Sequence, residues 1–322
     1  MSEETPIPAQ AIEVAPQRAG IVALIGRANV GKSSLLNAIL EEKVSIVSPI
    51  AQTTRNVIRG ILTEPRGQLV FHDTPGVHKA SGDLGRVMNR MARSAAEGAD
   101  VALLVLDTSQ PPRDEDLGWM KRLQREAVPL VIALNKADLG GRHTADHRAA
   151  WDAAVTEQRA HPEASATPRP EPVWVDVSAA TGQGREDLVA ILFAQMPEGP
   201  LLFPADVLTD FPRKLAMADV IREKLFADLR DELPHAVAVW VESLDDQSTP
   251  WQVQAYVFVQ KHSQKGIVIG EKGRLLRKVR RAAEIEFQTI YEQPVNIELW
   301  VKVQPKWDRN FWLLKKFGYI AS

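Results

Sequence analysis

The sequence predicts an α/β fold: a mostly parallel sheet with helices on both faces, followed by a smaller α+β unit. Three observations predict it. Short apolar runs alternate with amphipathic stretches through residues 21–195. A glycine-rich segment at 26–33 joins the first apolar run to the first helical one. Beyond residue 204 the periodicity changes to helix, strand, strand, helix, helix, strand.

In order, Ile21–Ile25, Val101–Leu106, Leu130–Leu134 and Val173–Val177 read as buried strands, with helices expected near 32–40, 84–97, 114–127, 144–158 and 184–195. Val57–Leu62 and Gln68–His72, joined across Glu64-Pro65-Arg66-Gly67, read as a hairpin that brings one antiparallel strand to the sheet. Residues 161–172 are a proline-rich surface loop and 198–212 a linker. Lys214 to Leu233 is amphipathic, and Val237–Val241, Trp251–Val259 and Val295–Val303 alternate as strands with one face on a core. Leu276, Val279, Ala283, Phe287 and Ile290 recur at helical spacing and predict a buried stripe with the arginines opposite.

A chain of 322 residues has length for two cores. The absence of cysteine excludes disulfides, thiolate zinc sites and thiol catalysis, and points to a reducing compartment. The N-terminus, MSEETPIPAQ, is acidic and proline-bearing, which reads as a tail rather than a secretory signal. No run approaches the roughly 18 to 20 apolar residues of a membrane span, so a cytoplasmic protein with at most peripheral membrane contact is expected. Between Lys261 and Arg281 stand eight basic residues and one acid, Glu271, which predicts either a phosphate-facing stripe or a solvated helix face.

Gly26-Arg27-Ala28-Asn29-Val30-Gly31-Lys32-Ser33 follows an apolar strand and opens a helix, the context a phosphate-binding loop requires. Its backbone N–H groups can wrap a β-phosphate, Lys32 can supply a charge to the β and γ oxygens, and Ser33 can ligate magnesium. Asp73-Thr74-Pro75-Gly76 ends a strand, where a carboxylate can serve magnesium and the Gly76 amide can meet the γ-phosphate. In Gln52-Thr53-Thr54-Arg55 one threonine hydroxyl is expected in the magnesium shell, Thr54 in preference to Thr53. Asn135-Lys136-Ala137-Asp138 follows another buried strand. The Asp138 carboxylate can accept two hydrogen bonds from guanine, donors that adenine cannot match. Ser178-Ala179-Ala180 can offer a backbone N–H to guanine O6. The implied substrate is GTP, with GDP as product. The implied catalytic set is Lys32, Thr54 and Gly76.

With these motifs, residues 21–195 resemble the GTPase domain of the Era family, a P-loop GTPase of the translation-factor-related class. In Ras-like enzymes the residue after the Asp-x-x-Gly motif is a glutamine that orients the attacking water; here it is Val77, which cannot. Asn29 matches the asparagine that in related potassium-stimulated GTPases helps seat a monovalent cation, so potassium and a slow intrinsic rate are expected.

Gly266-Ile267-Val268-Ile269-Gly270-Glu271-Lys272-Gly273 stands between two helices, after two alternating strands and before a third. Gly270-x-x-Gly273 in that order of elements is the loop of a type II KH domain, which clamps about four nucleotides of backbone. Ile267 and Ile269 would face bases, and Lys272, Arg274, Arg277 and Lys278 phosphates. Glu271 departs from the basic or small residue expected there. The organisation expected is a tail at 1–18, a GTPase domain at 19–197, a linker at 198–212, a KH domain at 213–305 and a basic-aromatic tail at 306–322. Of the aromatic residues in that tail, Trp307, Phe311, Trp312 and Phe317, packing on the KH domain is expected before stacking on RNA. Over almost the whole chain this resembles the Era family. The resemblance implies a monomeric ribosome-assembly GTPase that binds the 3′ end of small-subunit ribosomal RNA and the small ribosomal subunit, with some peripheral membrane association.

Overall fold

The computed structural model describes residues 17–50, 53–76, 83–160 and 171–320. The N-terminal segment, Gln52, Val77 and most of the proline-rich loop lie outside these residues, as do the expectations that fell on them.

Six strands form the first sheet: β1 Arg18–Ile25, β2 Ile58–Glu64, β3 Gly67–Asp73, β4 Val101–Asp107, β5 Leu130–Asn135 and β6 Val173–Asp176, in the order β2-β3-β1-β4-β5-β6. The β2–β3 pair is antiparallel and every other pairing is parallel. Strands buried on both faces must be apolar throughout, and β4, VALLVLD, is buried from end to end. On one face α1 (Lys32–Leu40) and α5 (Arg185–Gln195) contribute Leu35, Leu36, Leu188 and Phe193 to the core. On the other, α2 (Asp83–Glu97), α3 (Asp114–Leu123) and α4 (Thr144–Arg159) contribute Ala92, Trp119, Met120 and Trp151. This layering brings the C-terminal ends of β1, β3, β4 and β5 to one edge, where ligands of open α/β sheets bind.

Residues 198–212 do not hang free. Leu208 accepts a hydrogen bond from Ile61 N (2.8 Å), the Thr209 hydroxyl donates to Arg59 O (2.6 Å), and the Gln68 side chain holds Leu202 and Phe203. The segment thereby covers the exposed edge of β2.

The second sheet has the order β7-β8-β9, from Ala238–Asp245, Trp251–Val259 and Val295–Val303, with β8 antiparallel to β7 and parallel to β9. Its inner face packs on α6 (Arg213–Phe226), α8 (His262–Ile269) and α9 (Arg274–Tyr291) through residues such as Met217, Val257, Val279 and Phe287. Two expectations are corrected here. The helix expected over Lys214 to Leu233 ends at Phe226. Asp231 then turns through a left-handed conformation (φ 55°), and a short helix α7, Leu233–Ala236, starts around Pro234, whose missing N–H suits a first turn. The stripe on α9 is narrower than its periodicity suggests: Val279, Ala283 and Phe287 are buried, but Ile290, in the last turn, is exposed.

The C-terminal segment divides. Trp307, Leu314 and Phe317 are buried against the outer face of the second sheet and against Leu84 and Met88 of α2, whereas Phe311 and Trp312 of the short helix α10 (Phe311–Lys316) face solvent.

Candidate active site and nucleic-acid interface

β1 runs directly into the loop 26–31, and the loop's geometry explains its composition. Gly26 has φ 145° and lies so near Val105 that a Cβ would come within 2.6 Å of the carbonyl oxygen. Gly31, at φ 99°, caps α1. Lys32 folds back over the loop, its Nζ donating to Gly26 O (3.2 Å) and Arg27 O (2.9 Å). Burial lowers its pKa from 10.5 to about 8, against the opposing pull of Asp73.

Four oxygen-bearing side chains meet beside it. Ser33 Oγ donates to Asp73 Oδ2 (2.6 Å) and lies 2.9 Å from Thr54 Oγ1. Ser45, which the motifs do not mark, donates to the same Asp73 oxygen (2.8 Å). Asp73 is buried, which raises its pKa despite Lys32, and its Oδ1 is a buried acceptor without a partner among the described residues. Neighbouring threonines differ: the Thr53 hydroxyl turns away to Ile50 O (2.6 Å), while Thr54 joins Ser33. Hard oxygen donors with one orphaned carboxylate oxygen are the set a magnesium ion takes. Gly76 lies against the loop, where a Cβ would stand 2.5 Å from Ala28 Cα, and Thr74 fixes the turn by donating to Leu24 O (2.7 Å). Lys32, Ser33, Thr54 and Gly76 border a cavity of about 430 Å³ that also receives Asn29 and Lys136.

At the end of β5, Asn135 ties three loops together. Its amide donates to Val30 O (2.8 Å), and its side-chain oxygen accepts from Ala179 N (3.1 Å). Asp138 accepts from the Ser178 hydroxyl (2.6 Å), so the carboxylate and the 178–180 turn are held as one unit. Lys136 reaches back to Asn29 O (3.2 Å) and to Asp107 (2.7 Å).

Asp107 and Asp116 are residues that sequence reasoning missed. The Arg27 guanidinium is buried between them, 3.0 Å from Asp116 and 3.6 Å from Asp107, so this side chain braces the loop from behind. Asp107 was detectable, since it ends an apolar strand as Asp73 and Asn135 do; Asp116 carries no such signal.

In the second unit Gly270 (φ 72°) and Gly273 (φ 77°) bound the tight turn between α8 and α9, and a Cβ on Gly270 would stand 2.8 Å from that of Leu275. Ile267 is 54% exposed and Ile269 is half-buried. Glu271, Lys272, Arg274, Arg277 and Lys278 are exposed, although Arg277 also donates to Lys272 O (2.6 Å) and Lys278 pairs with Asp228.

The two units meet through the segment that carries Thr54. Arg222 of α6, paired with Asp219 (2.8 Å), donates to Thr53 O (2.7 Å) and to the Tyr319 hydroxyl (3.0 Å). Arg55 is buried in the second unit, donating to Val237 O (2.8 Å) and Pro234 O (3.0 Å) among the rings of Phe226, Trp307 and Tyr319.

Residues 21–136 match the family model described as a 50S ribosome-binding GTPase, and residues 232–308 match the KH domain. The GTPase Era of Geobacter metallireducens is 39% identical over 94% of this chain and 98% of its own length. That of Caldanaerobacter subterraneus subsp. tengcongensis is 40% identical over 95% and 99%. The chain belongs to the Era family of GTPases. Era crystal structures superpose on it over 95% of its length, at 33% identity. One, in complex with MgGDPNP and nucleotides 1506–1542 of 16S ribosomal RNA, gives a TM-score of 0.82. Another, an Aquifex aeolicus Era variant bound to GDP and aluminium fluoride, gives 0.83. Both are covered completely by this Era-family chain.

Proposed function

We propose that this protein is a GTP-hydrolysing switch that binds small-subunit ribosomal RNA near its 3′ end through its KH unit and acts in assembly of the small ribosomal subunit. One observation carries the reading. Thr54 stands beside Ser33 and Asp73 in the nucleotide site, while its neighbours Thr53 and Arg55 are held by the RNA-binding unit. A ligand that moves one end of this segment must do work on the other.

Ser33, Thr54 and Asp73 hold magnesium, which neutralises charge on the β and γ oxygens when bound. Lys32 contributes a fixed positive charge over the same oxygens, and the Gly76 amide accompanies the γ-phosphate. Asp138, oriented by Ser178, selects guanine by accepting from its N1–H and amino group. The side chain of Val77 has no polar group with which to orient the attacking water. Asn29, whose Nδ2 donates to Pro49 O (2.8 Å), would offer its carbonyl oxygen to a potassium ion, which would supply the electrostatic work of an arginine finger. No helix among the described residues is long and apolar enough to cross a membrane. A monomer in the cytoplasm, with peripheral attachment to the inner membrane face, completes the reading.

The test is GTP hydrolysis by purified protein in potassium and in sodium, with and without single-stranded RNA matching the small-subunit 3′ end. A slow rate raised by the RNA and by potassium is expected. Equal rates in the two cations would remove Asn29 from the mechanism, and hydrolysis indifferent to bound RNA would remove the coupling.

A further inference from the structure

The outer face of the second sheet, opposite the helices that carry the Gly270–Gly273 turn, is unusual for the side chains it shows to solvent. Trp240, Tyr256 and Trp300 stand in register across β7, β8 and β9. Tyr256 and Trp300 stack, with centroids 5.5 Å apart and planes at 26°, and Lys302 Nζ lies 3.4 Å over the Tyr256 ring. Because β9 is the edge strand, the stack stops at Trp300, which is 42% exposed. The surface continues onto α10. Its buried side is Leu314, and its outward side consists of Phe311, Trp312, Lys315 and Lys316, with Lys316 reaching to 5.3 Å above Trp240. Phe311 and Trp312, 55% and 75% exposed, meet edge to face.

From this arrangement we infer a second single-stranded RNA surface, on which unpaired bases stack against Trp300 and the Phe311–Trp312 pair while Lys302 and Lys315 meet phosphates. Stacking on aromatic rings suits every base, and lysines interleaved with the rings supply the complementary charge. The inference rests on the groove reading above and extends it. Since α8 packs on β9, a strand leaving the groove over that edge meets Trp300 first. The acids of this face, Glu242 and Glu298, lie on the side of the aromatic row away from Lys302, and Glu242 pairs with Lys316 (3.4 Å), so the phosphate chain follows the side that carries Lys302. A lipid surface fits less well. Gln252, Gln254 and Asn296 occupy the rest of the face, and one helix of 6 residues gives little to bury in a bilayer interface.

The experiment compares affinities of the full chain for a short RNA that fills only the groove and for the same RNA extended at either end. Extension is expected to tighten binding roughly tenfold. Trp300→Ala and the double variant Phe311→Ala/Trp312→Ala should each lose most of that gain while binding the short RNA like wild type, which also shows that they fold. Lys302→Gln should lessen the salt dependence for the extended RNA alone. An extension that adds nothing, or a gain that survives in both aromatic variants, overturns the inference and leaves the groove reading standing. Variants that keep the RNA gain but lose binding to anionic phospholipid vesicles overturn it in favour of a membrane. A short RNA that wild type does not bind fails the groove reading, and this inference with it.

Discussion

The nucleotide site and the RNA groove are built on opposite plans. Around the nucleotide, side chains answer one another over short distances: Asn135 ties Val30 to Ala179, Arg27 is held by Asp107 and Asp116, and Ser33 and Ser45 share one oxygen of Asp73. The groove is an exposed turn flanked by long cationic side chains, two of which are diverted to Lys272 O and Asp228. A pocket that must tell guanine from adenine needs polar groups fixed before the ligand arrives, since a misplaced partner there costs an unpaired buried group. A surface that follows a flexible phosphate chain gains little from such rigidity and more from adjustable charge.

The contrast breaks most readily at Asp138. Replacing it with alanine is expected to weaken GTP binding roughly a thousandfold and to erase preference over ATP, measured by titration with a fluorescent nucleotide. A loss below about tenfold would mean that the site is less preorganised than its bonds suggest.

Lys32 gives a somewhat smaller effect. Its pKa is about 8 in the folded chain against 10.5 ordinarily, so between those pH values the unfolded chain holds more protons and stability rises with pH. Below about 8 the full cost is present, on the order of 3 kcal/mol. In urea titrations of nucleotide-free protein, Lys32→Met should lack that rise between pH 8 and 10.5, and parallel pH profiles would refute the assignment.

In the groove, Gly273→Asp places a carboxylate at a left-handed position facing the phosphates. A loss of RNA affinity of roughly thirtyfold is expected with the nucleotide affinity unchanged. If GTP binding fell as well, the two plans would not be separable. The smallest effect belongs to Arg277→Gln. RNA affinity should fall only a few-fold, and the slope of log affinity against log salt should shrink by about one. An unchanged slope would leave Arg277 as a structural partner of Lys272 O.

What the sequence revealed follows the same division. The P-loop, Asp73, Asn135, Asp138 and the glycine turn were legible because each is a short run placed by its neighbours in the chain, after a strand or before a helix. The sequence preferred Thr54 to Thr53 only slightly, and the structure separates them because the two hydroxyls diverge toward Ser33 and Ile50. Asp116, Ser45 and the Asp219–Arg222 pair were invisible. Their roles depend on contacts with Arg27, Asp73 and Thr53, which lie 89, 28 and 169 positions away in the chain, and no periodicity records such pairings. The helix expected to run to Leu233 was misjudged because Leu225, Phe226 and Leu229 keep an apolar pattern through a turn. The tail was misjudged in part because Trp307 and Trp312 look alike in sequence, while one is buried under α2 and the other faces water.

The hydrogen bond from Arg222 to Thr53 O lies one peptide from the hydroxyl that stands beside Ser33. Two ligands acting on so short a strap share a single thermodynamic cycle. Whatever factor RNA imposes on GTP affinity, GTP imposes on RNA affinity in equal measure. Over a complete turnover the hydrolysis of one nucleotide then sets an upper bound on the work available to release the bound ribosomal RNA.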